Sequence, residues 1–156
     1  MEKNHKTNTE IYRPKLHFTA KKGWINDPNG LIYLDGVYYM FYQYNPTEAA
    51  SDNKHWGLAE STDLIHWEYS PINPVMMYNE AEDKQIANPF LTVEEQRQIA
   101  DALDINNSDM ELCEFNGRTI IYYSWGNQRG MEFLAEASYE GGMKTFLESW
   151  FPLQDE

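Results

Sequence analysis

The segment Trp24-Ile25-Asn26-Asp27-Pro28-Asn29-Gly30 sets one carboxylate between two amides, close to an indole ring. Pro28 locks its own φ and pushes Asp27 towards extended backbone, while Gly30 permits a turn that other residues resist. An acid held this rigidly at the mouth of a strand is suited to act as a nucleophile or a general base. The same residue types also build ordinary turns, so the chemistry depends on what surrounds the motif. A second concentration of carboxylates lies in Asn107-Ser108-Asp109-Met110-Glu111-Leu112-Cys113-Glu114.

The elements that must position these acids are mostly strands. Leu31–Leu34, Asp35-Gly36 and Val37–Tyr42 form a hairpin signal, because Asp-Gly supplies the positive φ angles of a type I′ turn. Residues 56–60 and 65–69 read as two more strands, completing a four-stranded antiparallel unit. A second hairpin runs through Glu111–Phe115, Asn116-Gly117 and Arg118–Trp125, with residues 131–137 as its third strand. The stretch 33–42 superimposes on 114–123 without a gap, a weak internal repeat. Asp109 stands eight residues before Gly117, much as Asp27 stands nine before Gly36. Asp109 is therefore expected to open an inner strand of its own sheet. Glu111, two residues on, should point to the same side.

Two helices interrupt the strands. Thr92 followed by Glu95 is a capping-box pattern and predicts a helix over 93–103. Met143, Phe146, Leu147 and Trp150 form one apolar stripe on a short helix over about 142–150, closed by Pro152. These aromatics read as core packing. Residues 75–90 carry little pattern and read as a joint, and residues 1–10 as a disordered tail. The expected organisation is a first blade over about 24–75 and a later blade over about 105–140, within one unit spanning 11–156.

Several short motifs, in order and in register, extend the first one. Tyr12-Arg13-Pro14 and His17-Phe18 lead into residues 24–30. Then come Phe41-Tyr42-Gln43-Tyr44-Asn45-Pro46, His55-Trp56-Gly57 and Ser61-Thr62-Asp63-Leu64-Ile65-His66-Trp67-Glu68. Over roughly residues 11–75 the chain resembles the amino-terminal part of glycoside hydrolase family 32, which contains invertases, levanases and inulinases. The resemblance implies an all-β fold, a five-bladed β-propeller, and hydrolysis of β-fructofuranosides such as sucrose or fructans with retention. It implies Asp27 as nucleophile, with Asn26, Gln43 and Trp56 lining the sugar subsite and Trp24 nearby. Trp56 and Trp125 otherwise read as core residues, and Asn127-Gln128 as loop amides.

Retaining hydrolysis needs two carboxyl groups about 5 Å apart, one attacking and one protonating the leaving oxygen. The family draws the acid from a Glu-Cys-Pro motif and a stabilising Asp from an Arg-Asp-Pro motif, and this chain contains neither. Glu111 is the candidate acid in their place and Asp109 the auxiliary carboxylate; the plainer reading of both is solvated strand-start residues. Two further readings stay open. One is a catalytically incomplete remnant that at most binds carbohydrate. The other is an inverting enzyme like family 43, whose carboxyl groups would stand about 6.5–9.5 Å apart.

Composition bounds the rest. At 156 residues the chain is one domain with a real core, whereas a five-bladed propeller needs about twice that length. A fragment, an internally deleted chain or a self-assembling partial propeller is expected, and unpaired blade edges invite self-association. Aromatic residues make up 15%, which favours strands and suits sugar binding. A formal net charge of −13 argues against nucleic acid or anionic membranes and fits a small, neutral carbohydrate partner. No run is long enough for a membrane span. The single cysteine, Cys113, and the polar first ten residues point to a cytoplasmic setting. The four histidines are scattered, so no metal and no cofactor are expected.

Overall fold

The computed structural model describes residues 13–14, 16–51, 53–76, 86, 88–102, 106–127 and 130–152. The expected tail and most of the expected joint lie outside them. Strands β1 (Trp24–Leu34), β2 (Val37–Asn45), β3 (His55–Ser61) and β4 (Glu68–Tyr69) make one antiparallel sheet in that order. Helix α1 (Val93–Asp101) precedes a second sheet of β5 (Asn106–Phe115), β6 (Arg118–Gly126) and β7 (Glu132–Tyr139), and α2 (Met143–Glu148) follows it. The arrangement is that of two blades of a β-propeller, each a meander that starts at its inner strand.

Both hairpins turn where the residue types demand it. Asp35 and Gly36 take φ of 50° and 90°, and Asn116 and Gly117 take 51° and 74°. These pairs fit the two left-handed positions of a type I′ turn, which follows the natural twist of the strands. The capping box at α1 also forms: the Thr92 hydroxyl accepts from Glu95 N while Glu95 Oε2 accepts from Thr92 N. The strand expected over 65–69 is cut to two residues. Asp63 Oδ1 accepts from the amides of Ile65 and His66, and Leu64 adopts φ 63°, so this stretch coils into a side-chain-bound turn instead.

The two sheets pack through one face each. Phe41, Trp56 and Leu58 from the first sheet meet Met110 and Ile121 from the second, with Phe146 and Leu147 of α2 in the seam. β1 lies alongside β5. Gly30, at φ 52°, lies against the second sheet: a Cβ there would stand 2.7 Å from Leu112 Cδ1. The opposite face of the first sheet carries Tyr42, Tyr44 and Ala59, covered by Phe18 and Ala20. β2 is thus buried on both faces from Tyr39 to Asn45, which explains its nearly unbroken run of apolar and aromatic residues.

Candidate active site

Asp27 is the extra residue of a β-bulge. Asn26 pairs with Gln43 and Pro28 with Tyr42, leaving Asp27 without a cross-strand partner at φ 35°. A bulge redirects the side chain it carries and is common beside active sites. The sequence motif is therefore part of a strand and not a loop before one, since β1 begins at Trp24.

Asp109 occupies the equivalent place in the second sheet. Gln43 is the seventh residue of β2 and Ser124 the seventh of β6. Their partners are Asn26 and Ser108, and the residue after each partner is the bulged acid. Asp109 is also left-handed, at φ 53°. The one-residue difference in spacing arises because β1 has a second bulge, Gly30-Leu31 opposite Met40, that β5 lacks.

A chain of polar side chains surrounds Asp27. Trp24 Nε1 donates to Asn26 Oδ1 at 3.3 Å. Asn26 Nδ2 donates to Asp27 Oδ2 at 2.9 Å and to Gln43 Oε1 at 2.7 Å. Gln43 Nε2 in turn donates to the backbone carbonyl of Asn107 at 3.1 Å. This last bond brings the two bulges to the same end of the sheet pair, because Asn107 lies two residues before Asp109. Among the described residues, no donor reaches Asp27 Oδ1, which leaves one oxygen uncommitted. Ser124 Oγ donates to Asp109 Oδ2 at 3.3 Å.

The other expected residues separate into two groups. Asp27, Asp109 and Glu111 are exposed, Trp24 is 37% exposed, and Asn26 is half-buried. Gln43 and Trp56 are each 1% exposed. Family resemblance implies that both line the sugar subsite; here both side chains are buried. They pair with each other across β2 and β3 on the face that packs against the second sheet. Trp56 belongs to the core there, while Gln43 spends its amide on Asn26 and Asn107. Glu111 pairs with Tyr122 on the solvent-facing side of the second sheet. Trp125 is also core, at 5% exposure, its ring tilted against Phe133 with centroids 5.6 Å apart.

Neither of two surface depressions reaches Asp27. One, of about 320 Å³, lies between α1 and the turn after β6, lined by Arg97, Gln98, Asp101 and Asn127 among others. The second, of about 350 Å³, lies on the outer face of the first sheet. Among the described residues, no cluster of His, Cys, Asp and Glu is arranged to hold a metal ion.

The comparison with known proteins decides the lineage. The model of the glycosyl hydrolases family 32 N-terminal domain matches residues 17–99, more than half of the chain. The chain belongs to glycoside hydrolase family 32. It is 49% identical over 78 residues to an invertase of Schizosaccharomyces pombe, covering 50% of this chain and 13% of that protein. It is 49% identical over 63 residues to a levanase of Bacillus subtilis, covering 40% of this chain and 9% of that protein. The chain thus spans only a small part of the length of these relatives.

Among solved structures, an exo-inulinase of Aspergillus awamori superimposes with a TM-score of 0.59 at 22% identity. That match covers 90% of this chain and 26% of the other. Fructan 1-exohydrolase IIa of Cichorium intybus gives 0.56 at 25% identity, over 81% of this chain and 20% of that one. The likeness extends over both sheets, so the partial propeller is the family fold.

Two members of the site were not singled out from the sequence. Asn107 contributes a backbone carbonyl, to which side-chain identity gives no clue. Ser124 was legible in principle, because continuing the superposition of 33–42 on 114–123 by one residue aligns it with Gln43.

Proposed function

We propose that this chain carries the nucleophile end of a retaining β-fructofuranosidase, with sucrose or a fructan-like glycoside as substrate. Asp27 attacks the anomeric carbon of the fructosyl unit, forming an ester bond to the sugar as the glycosidic carbon–oxygen bond breaks. Glu111 gives its proton to the departing oxygen, and Asp109 stabilises the charge that develops on the ring. Water then adds to the anomeric carbon, Glu111 takes its proton, and Asp27 is released. Trp24 and Asn26 contact the sugar.

The observation that supports this most directly is Asp27 itself, fixed by a bulge, with Oδ2 held by Asn26 and, among the described residues, no donor on Oδ1. A nucleophile needs one oxygen oriented and one available. Family membership and the named activities of the relatives supply the substrate class.

The test uses a β-fructofuranoside whose leaving group is good enough to depart without acid assistance. Mass spectrometry of the reacted chain is expected to show an added fructosyl group on Asp27, absent in Asp27→Ala. An adduct that persists in Asp27→Ala removes Asp27 from the nucleophile role. Turnover with inversion and no adduct would favour the family 43-like mechanism. No reaction at all would leave a carbohydrate-binding remnant as the better reading.

A further inference from the structure

The strand edges of the two sheets are not equally protected. β4 closes the first sheet with only Glu68 and Tyr69, and Pro71 and Pro74 follow it. Val75 N donates to Trp56 O and Trp56 N to Met76 O, which covers the start of β3. β1 and β5, lying side by side, are each broken by a bulge. β7 has none of these devices. Glu132–Tyr139 pairs with β6 throughout without a register shift, and it holds no proline, glycine or lysine. Among the described residues its backbone bonds to β6 alone, so alternate amides and carbonyls point outward from its other side. An edge of that kind is a template for another strand.

The residues of β7 indicate which strand. Glu132, Leu134, Glu136 and Ser138 face solvent, and Phe133, Ala135, Ala137 and Tyr139 face the other way. A second β7, related by a two-fold axis perpendicular to the sheet, runs antiparallel and keeps both faces continuous. Under that symmetry one residue meets its own copy. Centred on Ala135, the pairing sets Leu134 against Glu136 of the second copy and Glu132 against Ser138. On the other face it sets the large Phe133 against the small Ala137. Centred on Leu134, Glu132 would meet Glu136; centred on Glu136, that residue would meet itself. Like charges directly opposite each other destabilise a strand pair. Centres on Phe133 or Ala137 engage less of the strand. Ala135 is thus the centre that joins most of β7 without opposing carboxylates.

We propose that β7 is a dimer interface, at which two copies of this chain join their second sheets edge to edge about Ala135. The contact is isologous, so it uses the edge of both copies and ends there. It shares no residue with the Asp27 network and stands whether or not the chain hydrolyses fructosides.

Sedimentation equilibrium of the whole chain under reducing conditions tests this, together with variants of Leu134, which is 77% exposed and can change without disturbing the core. The parent is expected to dimerise reversibly. Leu134→Lys, placed opposite Glu136 of the second copy, should tighten the dimer about two- to tenfold, and Leu134→Glu should weaken it by a similar factor. Adding Glu136→Lys to Leu134→Glu restores opposite charges across the contact and should recover the dimer. In a Cys113→Ser background, Ala135→Cys should cross-link two copies under mild oxidation, since opposed residues of antiparallel strands stand within disulfide reach. A parent that stays monomeric at every concentration would overturn the proposal. So would a dimer that Leu134→Lys and Leu134→Glu weaken alike, or a dimer that Ala135→Cys fails to cross-link.

Discussion

Gln43 Nε2 donates to the backbone carbonyl of Asn107 across 64 residues of sequence, and in doing so joins the two sheets at the end where Asp27 and Asp109 bulge. A side-chain amide suits this place because it must accept from Asn26 at one atom and donate to a carbonyl at the other. Gln43 thereby holds Asn26, which in turn holds Asp27.

Gln43→Leu removes both bonds and leaves the Asn107 carbonyl without this donor. The expected cost is about 1–3 kcal/mol, read from urea unfolding. Gln43→Glu should also lose stability, because a carboxylate accepts from Asn26 but repels the Asn107 carbonyl. A variant as stable as the parent would show that the bridge contributes nothing to the joint.

Asp27 and Asp109 both occupy left-handed backbone, which L-residues resist and glycine accepts. Asp27→Gly and Asp109→Gly are each expected to gain on the order of 0.5 kcal/mol in unfolding free energy. Asp27→Gly should abolish fructosyl adduct formation at the same time. Loss of stability in both would mean that the side-chain hydrogen bonds of the acids outweigh the strain.

Asp63 makes the stability of the β3–β4 turn depend on pH. The His66 side chain and the amides of His66 and Ile65 hold its carboxyl well below the usual carboxylate range. A depressed folded-state value contributes stability above the ordinary carboxylate pKa of about 3.9, and that contribution is lost as pH falls towards the depressed value. Asp63→Asn should therefore be less stable than the parent at pH 7, with the gap narrowing in acid. An unchanged gap across that range would remove Asp63 as the source.

The second half of the chain offers a comparison of local and tertiary contributions. Thr92→Ala breaks the capping box of an exposed helix and should cost about 1 kcal/mol. Leu147→Ala empties a fully buried position between the sheets and should cost about 2–5 kcal/mol. Thermal unfolding of the two variants, measured side by side, checks the order.

Much of the fold was legible because its signals are local. Asp35-Gly36 and Asn116-Gly117 carry their own left-handed preference, so the hairpins could be read without knowing what they pack against. The helix over 93–103 was legible to within two residues, since Thr92 and Glu95 cap it from within one turn. The strand expected over 65–69 was not, because Asp63 offered its backbone neighbours a competing side-chain acceptor. The burial of Gln43 and Trp56 was not legible either. Their alternation along the strands named a shared face but could not say that another sheet would cover it.

What the residues determined by themselves was the lineage and the turns, since each depends on neighbours a few positions apart. The tertiary structure decided the rest: that Asp109 falls in the matching bulge, that Gln43 is spent in bridging to Asn107, and that Trp56 is core. Those outcomes depend on strand register and on which face meets another sheet. Both arise from contacts between segments far apart in the chain, which no local pattern records.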